Sequence, residues 1–588
     1  MPGFTLEASF VVDGLRRFVQ DEFACQRKNF GLQISQPRAE RVERGTCLDG
    51  LTFRGIEDGL AMFQHQGNDS RLRESDLVLL RPQDAGGDAD GELASIYREE
   101  RDTIWLARDS GFRQNLTGGG LWMLDEAFLD LERHYLEAME RLPGTEIGQE
   151  RILPLLMGTA EPALDEEDYG GTHGELLASE MPWEDMQLEA IAGCVAADHC
   201  YLVQGPPGTG KTRVLAQVVK RLVEEGRRVL VTSFTHRAID HALGAVAREV
   251  ADREAIARIG PPVHRRDEPF DRFEYFSESP LGRRAGHLGW VVAATPFALR
   301  KRLAGVEFDT IVFDEAGQIT TPLAIMAMLT GRIYLFFGDQ QQLGPVVVSR
   351  SRRETKEIGI FQALRAKQIP GTMLNVTYRM NQTLSHWPSE SFYGGELSSA
   401  PGVAASRLRC APPADLPGWQ REALDPANPL VWVRFAGRKS RTTNDAESGA
   451  AAELILRLVQ AGMDPEQLAV VTPYRRQARK VRRRLETLSP GRSWSGCVID
   501  TVERMQGQER EVILVTFCAS QPEFVEQQAE FLVDPRRLNV SATRARTKLI
   551  LLASESLPAF DPVDADLEEE VVLLRSLFAA AVEVSHPG

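Results

Sequence analysis

The sequence of 588 residues lacks the features that would place it in a membrane or on a secretory route. No apolar run approaches the roughly 20 residues that a helix needs to cross a bilayer. The first residues, MPGFTLEASF, have neither the basic start nor the apolar core of a secretory signal. These absences predict a cytoplasmic protein that has no membrane partner.

Cysteine is scarce, and the few cysteines form no recognisable pattern. The seven of them are odd in number and show no paired short spacing, which argues against both a zinc site and a disulfide framework. Their distribution fits a protein of a reducing compartment. They are Cys25, Cys47, Cys194, Cys200, Cys410, Cys497 and Cys518.

Excess positive charge is also absent, because the net charge is −16 at pH 7. This balance by itself favours a protein that does not bind nucleic acid. Net charge governs long-range steering, however, and a local basic groove can lie on an acidic body. Any nucleic-acid function must therefore be argued from motifs.

The sequence does have an ordinary globular composition, with 43% hydrophobic and 26% charged residues. A chain of this length is expected to form about three or four domains. It shows no low-complexity tract and no short-period repeat. The composition therefore predicts a multidomain globular protein.

The spacing of apolar residues in the N-terminal part of the chain changes from helical to β-like and back to helical. It is helical over residues 8–30 and again from Leu124 to Leu142. Between these stretches, from Thr46 to Arg108, short β-like runs are separated by Gly- and Asp-rich turns. The simplest interpretation is a small β module between two long helices, and an unrelated N-terminal domain is the alternative. The acidic, Gly-containing stretch 161–175 is predicted to be a linker.

After this stretch, short apolar strands alternate with helices. Strands of this kind, apolar on both faces, are typical of parallel sheets covered by helices. A Pro- and Ala-rich segment at 400–429 interrupts the series, which then resumes. The fold class is therefore predicted to be α/β, with two lobes at 177–385 and 386–588.

A phosphate-binding motif lies early in the first lobe. The sequence GPPGTGKT follows an apolar strand and precedes a helical pattern, which is the context that the motif G-x-x-x-x-G-K-[ST] requires. Backbone N–H groups of such a loop surround the phosphates, the lysine contacts the β and γ phosphates, and the threonine hydroxyl ligates Mg²⁺. Switches, kinases and transporters share this loop, so it predicts only a nucleoside triphosphate. Its residues are Gly205, Pro206, Pro207, Gly208, Thr209, Gly210, Lys211 and Thr212.

A pair of carboxylates follows a later strand in TIVFDEAGQ. Asp314 is predicted to hold Mg²⁺ through water, and Glu315 to orient or deprotonate the attacking water. An acidic pair at the end of a strand is often only a solvated loop. Here it lies downstream of a phosphate loop, which favours a catalytic role and hydrolysis rather than transfer to a substrate hydroxyl.

Three further motifs carry a family resemblance. DEAGQ, FFGDQQQLGP at 336–345 and TYRMN at 377–381 together resemble the superfamily 1 helicases. The most similar subset contains the nonsense-mediated-decay helicase, the immunoglobulin mu-binding helicase and the Okazaki-fragment nuclease-helicase. The segment VTSFTHRAIDHAL at 231–243 resembles the last of these, and the likeness covers about residues 180–555.

The resemblance implies two RecA-like P-loop domains with parallel sheets and an N-terminal helical stalk that carries a small β-barrel. The implied domains are an N-terminal stalk helix at 1–45, a small β-barrel at 46–120, a return stalk helix and linker at 121–176, the first RecA-like domain at 177–385 and the second at 386–588.

The resemblance also implies roles around ATP. Gln187 matches the glutamine that reads adenine, and an amide can satisfy both the acceptor and the donor on the edge of that base. Without the family it would be taken for a surface helix residue. Gln342 matches the γ-phosphate sensor, and Lys211, Glu315 and Gln342 are the catalytic residues implied for the first lobe.

The second lobe supplies the remaining nucleotide contacts. Arg379 and Arg544 match the two arginines that reach the γ-phosphate, where an always-charged guanidinium forks onto phosphate oxygens. Tyr378 is expected to stack on adenine, and Glu509, in a segment that resembles motif V (499–517), to accept from the ribose hydroxyl. Thr377 departs from the glutamine that is usual at its position.

The resemblance implies that both lobes contact a single-stranded nucleic acid at the ends of their β-strands. They would bond the backbone without reading bases, so binding is expected to be independent of sequence. The basic run 475–485 is either a solvated helix face or places Arg475 or Arg476 near phosphate, and Phe234 and Tyr474 are candidates for stacking on bases. The implied contacts are Thr235, His236, Thr295, Thr472, Pro473 and Thr501.

The motifs and the resemblance together predict an ATP- and Mg²⁺-dependent helicase that acts on a single strand. Movement in the 5′-to-3′ direction is what the resemblance to this subset implies. The motif at 231–243 favours DNA over RNA, although backbone contacts tolerate either sugar. An ATP-gated clamp or remodeller is the alternative, and a P-loop switch or kinase is disfavoured by Arg379 and Arg544. We expect a monomer with no nuclease domain before residue 180, and we leave open a regulatory protein in trans.

Overall fold

The computed structural model describes most of the chain. The described residues are 6–57, 59–68, 70–73, 76–84, 91–100, 102–108, 112, 116, 120–260, 268–283, 288–349, 358–410, 416–437, 439–494 and 496–587. Among the helices of these residues, none is long and apolar enough to span a bilayer.

The chain folds into two compact units. Unit 1 comprises Met1–Gln204, Thr212–Asp339 and Gly344–Thr372. Unit 2 comprises Gly205–Lys211, Gln340–Leu343 and Met373–Gly588. The phosphate loop predicted for the first lobe thus belongs to unit 2, whereas the strand before it belongs to unit 1.

Unit 1 begins with a helical region and a closed barrel, as predicted. Six antiparallel strands follow one another around the barrel in the order β1-β2-β5-β4-β3-β6, and β6 pairs with β1 to close it. Alternate residues fill the interior, as in β2, where Ala61 and Phe63 are fully buried. The elements are α1 Leu6–Ile34, α2 Arg38–Arg44, β1 Cys47–Glu57, β2 Leu60–Gln64, β3 Leu77–Pro82, β4 Glu92–Glu100, β5 Thr103–Ala107 and β6 Leu121–Glu126.

A buried charge cluster joins the barrel to the end of α1. The Asp125 carboxylate accepts from Arg41 Nε at 2.8 Å and from Arg81 Nε at 3.2 Å. Arg41 Nη1 also donates to the carbonyl oxygen of Gln36, just beyond α1, at 2.7 Å. Breaking a buried ion pair strongly destabilises a protein, so this cluster holds the barrel against α2 and the end of α1.

The rest of unit 1 is an α/β layer. Its eight-stranded sheet has the order β10-β9-β11-β8-β12-β13-β7-β14, with parallel pairing from β10 to β7, as predicted from the apolar strands. The elements are α3 Glu132–Arg141, α4 Leu153–Met157, α5 Glu166–Ala178, α6 Asp185–Ala196, β7 Cys200–Gln204, α7 Lys211–Glu224, β8 Arg228–Thr232, α8 His236–Glu249, β9 Ile256–Ile259, β10 Arg272–Phe273, β11 Trp290–Ala293, β12 Thr310–Phe313, α9 Thr321–Met328, β13 Ile333–Gly338, α10 Ile360–Ala366 and β14 Gly371–Met373.

Unit 2 contains a second parallel sheet, so the predicted fold class is confirmed. The strand order is β19-β18-β20-β21-β17-β22, and apolar clusters cover both faces. The elements are β15 Val376–Thr377, α11 Gln382–Phe392, β16 Ser398–Ser399, α12 Pro401–Ala404, α13 Gly418–Ala423, β17 Leu430–Phe435, α14 Asp445–Gln460, β18 Leu468–Thr472, α15 Arg475–Leu488, β19 Val498–Thr501, α16 Val502–Met505, β20 Arg510–Thr516, α17 Pro522–Gln527, α18 Ala529–Leu532, α19 Pro535–Ala542, β21 Ala545–Ser554, α20 Glu568–Ala579 and β22 Val582–Ser585.

Two local predictions were wrong. The helix predicted from Leu124 starts only at Glu132, because Leu124 lies in β6. The stretch 161–175, predicted as a linker, mostly belongs to α5, which packs on α6. The Asp165 carboxylate accepts from the backbone N–H groups of residues 167 and 168 at 3.0 and 2.9 Å, and this cap and the acidic first turn favour the helix despite its glycines.

Candidate functional site

The phosphate loop is shaped by two glycines in the left-handed region. Gly208 has φ +78° and Gly210 has φ +83°. A Cβ atom at Gly208 would lie 2.5 Å from Arg379 Cβ and 2.6 Å from Thr377 Oγ1. Only glycine therefore fits at this position, for both backbone and steric reasons.

Thr377 and Tyr378 hold the loop through direct hydrogen bonds within unit 2. Thr377 Oγ1 donates to the carbonyl oxygen of Pro207 at 2.8 Å, and the Tyr378 N–H donates to that of Gly208 at 2.8 Å. The sequence comparison identified Thr377 only as a departure from the family's glutamine and did not predict its contact with the phosphate loop. Tyr378 is 44% exposed, which leaves ring surface for the predicted stacking on adenine.

Arg379 lies in an ion-pair network around Glu509. Its Nε donates to Glu509 Oε2 at 2.5 Å and its Nη1 to the carbonyl oxygen of Thr543 at 3.0 Å, while Arg546 Nε donates to Glu509 Oε1 at 3.1 Å. Burial raises the pKa of Glu509, but the Arg379 charge and the Arg546 hydrogen bond outweigh it and hold that pKa below its usual value. The resemblance implies a ribose contact for Glu509, which stays a prediction, and no motif indicates a role for Arg546.

The structure brings Arg544 and Gln342 together. Arg544 is buried, and its Nη2 donates to Gln342 Oε1 at 3.1 Å, while its Nε donates to the carbonyl oxygen of Val540 at 3.1 Å. Asn539 Nδ2 donates to the carbonyl oxygen of Gln341 at 2.8 Å. Two side chains predicted to contact the γ-phosphate are therefore in contact with each other in unit 2.

The carboxylate pair lies on a strained turn of unit 1. Asp314 follows β12 and is buried, and Glu315 has φ +51° and ψ +39°, a conformation that costs a residue other than glycine on the order of 1–2 kcal/mol. Gln318 Nε2 donates to Glu315 Oε2 at 3.3 Å. A Cβ at Gly317 would lie 2.8 Å from the carbonyl oxygen of Asp339, so this turn packs closely on the one after β13.

The predicted Mg²⁺ ligands suit the ion chemically. Thr212 lies in the first turn of α7 and Asp314 at the end of β12, both in unit 1, and a hydroxyl and a carboxylate are oxygen donors that Mg²⁺ accepts. No group of three or more His, Cys, Asp or Glu side chains able to hold a metal occurs among the described residues. These donors fit an ion that is bound mainly by water and phosphate oxygens.

Gln187 has a local structural role. It is buried at the third position of α6, where its Oε1 accepts from the Glu184 N–H at 3.4 Å and the two side chains form a reciprocal helix cap. Its contact with adenine stays a prediction.

The residues predicted to contact a nucleic-acid strand lie at the carboxyl ends of parallel β-strands. Thr235 and Thr295 lie just beyond β8 and β11 of unit 1, whereas Thr472 and Thr501 are the last residues of β18 and β19 of unit 2. Side chains after the carboxyl ends of neighbouring parallel strands share one edge of a sheet, where ligands bind in such folds. Each unit therefore presents its own set of candidate contacts.

Several of these side chains also make local hydrogen bonds. Thr235 Oγ1 accepts from the Ala238 N–H at 3.2 Å and caps α8, and Thr472 Oγ1 donates to the carbonyl oxygen of Tyr474 at 2.7 Å. Pro473, which lies between Thr472 and Tyr474, lacks an N–H donor. The Tyr474 ring packs on Phe531 with centroids 5.4 Å apart, whereas Phe234 is 50% exposed.

The basic run 475–485 forms most of α15. Its apolar side chains Val481 and Leu485 are buried, and Lys480 forms an ion pair with Asp445 at 2.9 Å. This supports the interpretation of a solvated amphipathic helix. Phosphate contacts of Arg475 or Arg476 stay a prediction.

A glycine-shaped phosphate loop and two parallel α/β sheets define the chain as a P-loop nucleotide-binding protein. Two family models described as AAA domain match it, one over residues 182–274 and 290–350 and the other over residues 357–556. The chain belongs to the superfamily 1 helicases, in the subset that contains the DNA2 helicase/nucleases.

Similar proteins include two named DNA replication ATP-dependent helicase/nuclease. JHS1 of Arabidopsis thaliana is 29% identical over 390 residues, which cover 64% of this chain and 29% of that protein. DNA2 of Mus musculus is 31% identical over 411 residues, 64% of this chain and 38% of that protein. The chain thus spans well under half the length of these relatives. The arterivirus nonstructural protein 10 helicase structure aligns with a TM-score of 0.39 and 14% identity, over 91% of this chain and 82% of that one.

Proposed function

We propose that this chain is an ATP- and Mg²⁺-dependent helicase that moves 5′ to 3′ along a single strand, with DNA rather than RNA as its substrate. The observation that carries the proposal is the composition of unit 2. The phosphate loop lies there against Thr377 and Tyr378, beside Arg379, and Gln342 is hydrogen-bonded to Arg544. Groups that sense the γ-phosphate and the loop that holds it belong to one unit.

Each residue has a proposed part in ATP turnover. Lys211 contacts the β and γ phosphates, and Arg379 and Arg544 stabilise the negative charge of the transferred group. Mg²⁺, held by Thr212 and by Asp314 through water, would supply further neutralisation of the phosphate oxygens.

Glu315 orients the attacking water and accepts its proton. Gln342 links the state of the γ-phosphate to Arg544, to which it is already hydrogen-bonded. Gln187 and Tyr378 are proposed to bind adenine. Since Glu509 is paired with two arginines, we propose that it positions Arg379 in addition to any contact with ribose.

The nucleic-acid strand is proposed to contact the carboxyl edge of the sheet in each unit. The threonines there and the loop amides would bond phosphates and leave the bases unread. The relatives' names refer to DNA replication, which supports DNA over RNA. The direction of movement follows from the subset resemblance of the motifs.

An ATPase titration with single-stranded DNA and RNA side by side tests the proposal. We expect stimulation by DNA above that by RNA, and a loss of turnover in Glu315→Gln. Equal stimulation would remove the preference for DNA, and no stimulation by either strand would overturn the helicase itself.

Strand separation is then measured on duplexes with a 5′ or a 3′ single-stranded tail. We expect unwinding of the 5′-tailed duplex only. Stimulated ATPase without separation of either duplex would instead support the alternative, an ATP-gated clamp or remodeller.

A further inference from the structure

A fully buried arginine of unit 1 is hydrogen-bonded to one of the predicted nucleic-acid contacts. Arg258 belongs to β9, and its Nη2 is 2.7 Å from His236 Nδ1. A guanidinium has donors only, so the imidazole Nδ1 must be the acceptor of this hydrogen bond. The proton of a neutral His236 therefore lies on Nε2.

The surroundings of His236 keep it neutral. Burial and then the charge of Arg258 lower the pKa of His236 to about 4, with smaller effects of Arg272 and Arg302 in the same direction, while Asp240 opposes them. Within the described part of the chain, the imidazole hydrogen-bonds to Arg258 alone. At neutral pH the ring thus carries an Nε2–H donor and no charge.

The same guanidinium also reaches the second predicted contact segment. Arg258 Nη1 donates to the carbonyl oxygen of Ala293 at 3.2 Å, at the end of β11 and two residues before Thr295. Its Nε donates to Asp240 Oδ1 on α8 at 2.8 Å. One side chain therefore ties the start of α8 to the end of β11.

We propose that Arg258 is a positioning residue that presents His236 to nucleic acid as a neutral Nε2–H donor to a phosphate oxygen and fixes the Thr295 segment beside it. The inference rests on the proposed function, because it names the chemistry of one of its strand contacts. A neutral donor adds no counterion release, so this contact should be insensitive to salt and to pH near neutrality. Lysine or a protonated histidine would behave in the opposite way.

Two substitutions of His236 test the donor. A glutamine places an amide N–H near the position of Nε2, whereas an asparagine places one near Nδ1. Binding of fluorescein-labelled oligo(dT) is measured by anisotropy without nucleotide. We expect His236→Gln to bind within about threefold of the wild type and His236→Asn about tenfold more weakly, the effect of one lost hydrogen bond. Equal binding by His236→Asn and the wild type would overturn the proposal.

A matched pair of arginine variants tests the positioning. Arg272 also pairs with Asp240, at 2.9 Å, but it belongs to β10, and Asp240 and Glu268 are its ion-pair partners. We expect Arg258→Met to weaken oligo(dT) binding about tenfold and Arg272→Met to change it less than about threefold. Equal weakening by both would show only a general structural effect and would overturn the role of Arg258.

The tautomer itself is read in the wild-type protein by ¹⁵N NMR of labelled histidine, with the signal assigned by its loss in His236→Gln. We expect an Nε2–H tautomer that does not titrate from about pH 6 to about pH 8. An Nδ1–H tautomer or a titration in that range overturns the inference even if Arg258→Met fails to fold. A wild type that binds no oligo(dT) would instead refute the proposed function, while the NMR result would still decide the tautomer.

Discussion

The turn that carries Glu315 and the network that carries Arg379 fix their side chains in different ways. In unit 1, Glu315 is set by a left-handed backbone and by the close approach of Gly317 to Asp339. In unit 2, Arg379 is set by ion pairs and hydrogen bonds to Glu509 and to a backbone carbonyl. Backbone conformation thus places Glu315, whereas charge and hydrogen bonding place Arg379.

The difference predicts how each region responds to substitution. A side chain placed by its backbone can be exchanged for an isostere without disturbing its neighbours. A cation placed by a shared carboxylate cannot, because its removal leaves the partners with unbalanced charge. Substitution of Glu315 should therefore have local effects, and substitution of Arg379 should have effects that spread to its partners.

The largest effect is expected for Glu315→Gln. The amide keeps the shape of the side chain but cannot accept a proton, so strand-stimulated ATP turnover should fall about 1000-fold. Thermal unfolding should shift little, since the backbone is unchanged. Gln318→Ala, which removes only the hydrogen bond to Glu315, is the control and should cost less than about tenfold. A large loss of stability in Glu315→Gln would contradict the proposal that the backbone conformation is what mainly places this side chain.

Arg379→Ala should lower turnover about 100-fold, the usual effect of removing one of several transition-state donors. Arg546→Ala is the matched control, because Arg546 pairs with the same Glu509 carboxylate. We expect it to reduce turnover less than about tenfold, through a misplaced Arg379. If both variants lost activity equally, the network rather than Arg379 would be the functional element.

Unit 2 also contains a buried carboxylate held by neutral donors. Glu447 accepts from Thr516 Oγ1 at 2.6 Å, from the Cys518 N–H at 2.8 Å and from Asn444 Nδ2 at 2.9 Å. Burial raises the pKa of Glu447 to about 7, and these hydrogen bonds only partly offset it. The folded state therefore holds the proton more tightly than the unfolded state does.

With a raised pKa, the stabilising contribution is present below the unfolded pKa and is lost as the pH rises through about 7. We expect the free energy of unfolding to fall by up to about 3 kcal/mol between about pH 5 and about pH 8. Glu447→Gln should not show this fall, so its melting temperature should gain on the wild type as the pH rises. Parallel pH profiles of the two proteins would contradict the assignment.

The smallest effect is expected at Thr377, whose hydroxyl holds the phosphate loop. Thr377→Val loses the hydrogen bond to the carbonyl oxygen of Pro207 and should raise the KM for ATP about fivefold with kcat unchanged. Thr377→Ser keeps the hydroxyl and should resemble the wild type. A fall in kcat at constant KM would mean that Thr377 acts in the transition state instead.

The features that could be predicted from the sequence are those determined by residues close together in the chain. The apolar strands and the phosphate loop were recognisable because buried parallel strands and phosphate loops have short-range signatures. The cap that makes α5 a helix was also local, and Asp165 before an acidic turn was a signal that the glycines obscured. The helix prediction at Leu124 failed because its spacing of four residues from Phe128 fits one face of a strand as well as one face of a helix.

Contacts between distant segments could not be predicted in this way. Glu22 of α1 is buried, and its carboxylate accepts from the backbone N–H groups of Val348 and Ser349 at 3.1 and 2.9 Å. The Arg546 partner of Glu509 and the Thr377 contact with the phosphate loop are of the same kind. No periodicity links residues so far apart, and only the packed fold selects which polar groups meet.

The closed barrel has a consequence for association. An open sheet offers the backbone N–H and C=O groups of its edge strand to another chain, which can then add a strand of its own. In this barrel β6 pairs with both β3 and β1, so the described strands have no such edge. A protein that docks on the barrel must therefore recognise its loops or its outward side chains and cannot extend it by β-strand addition.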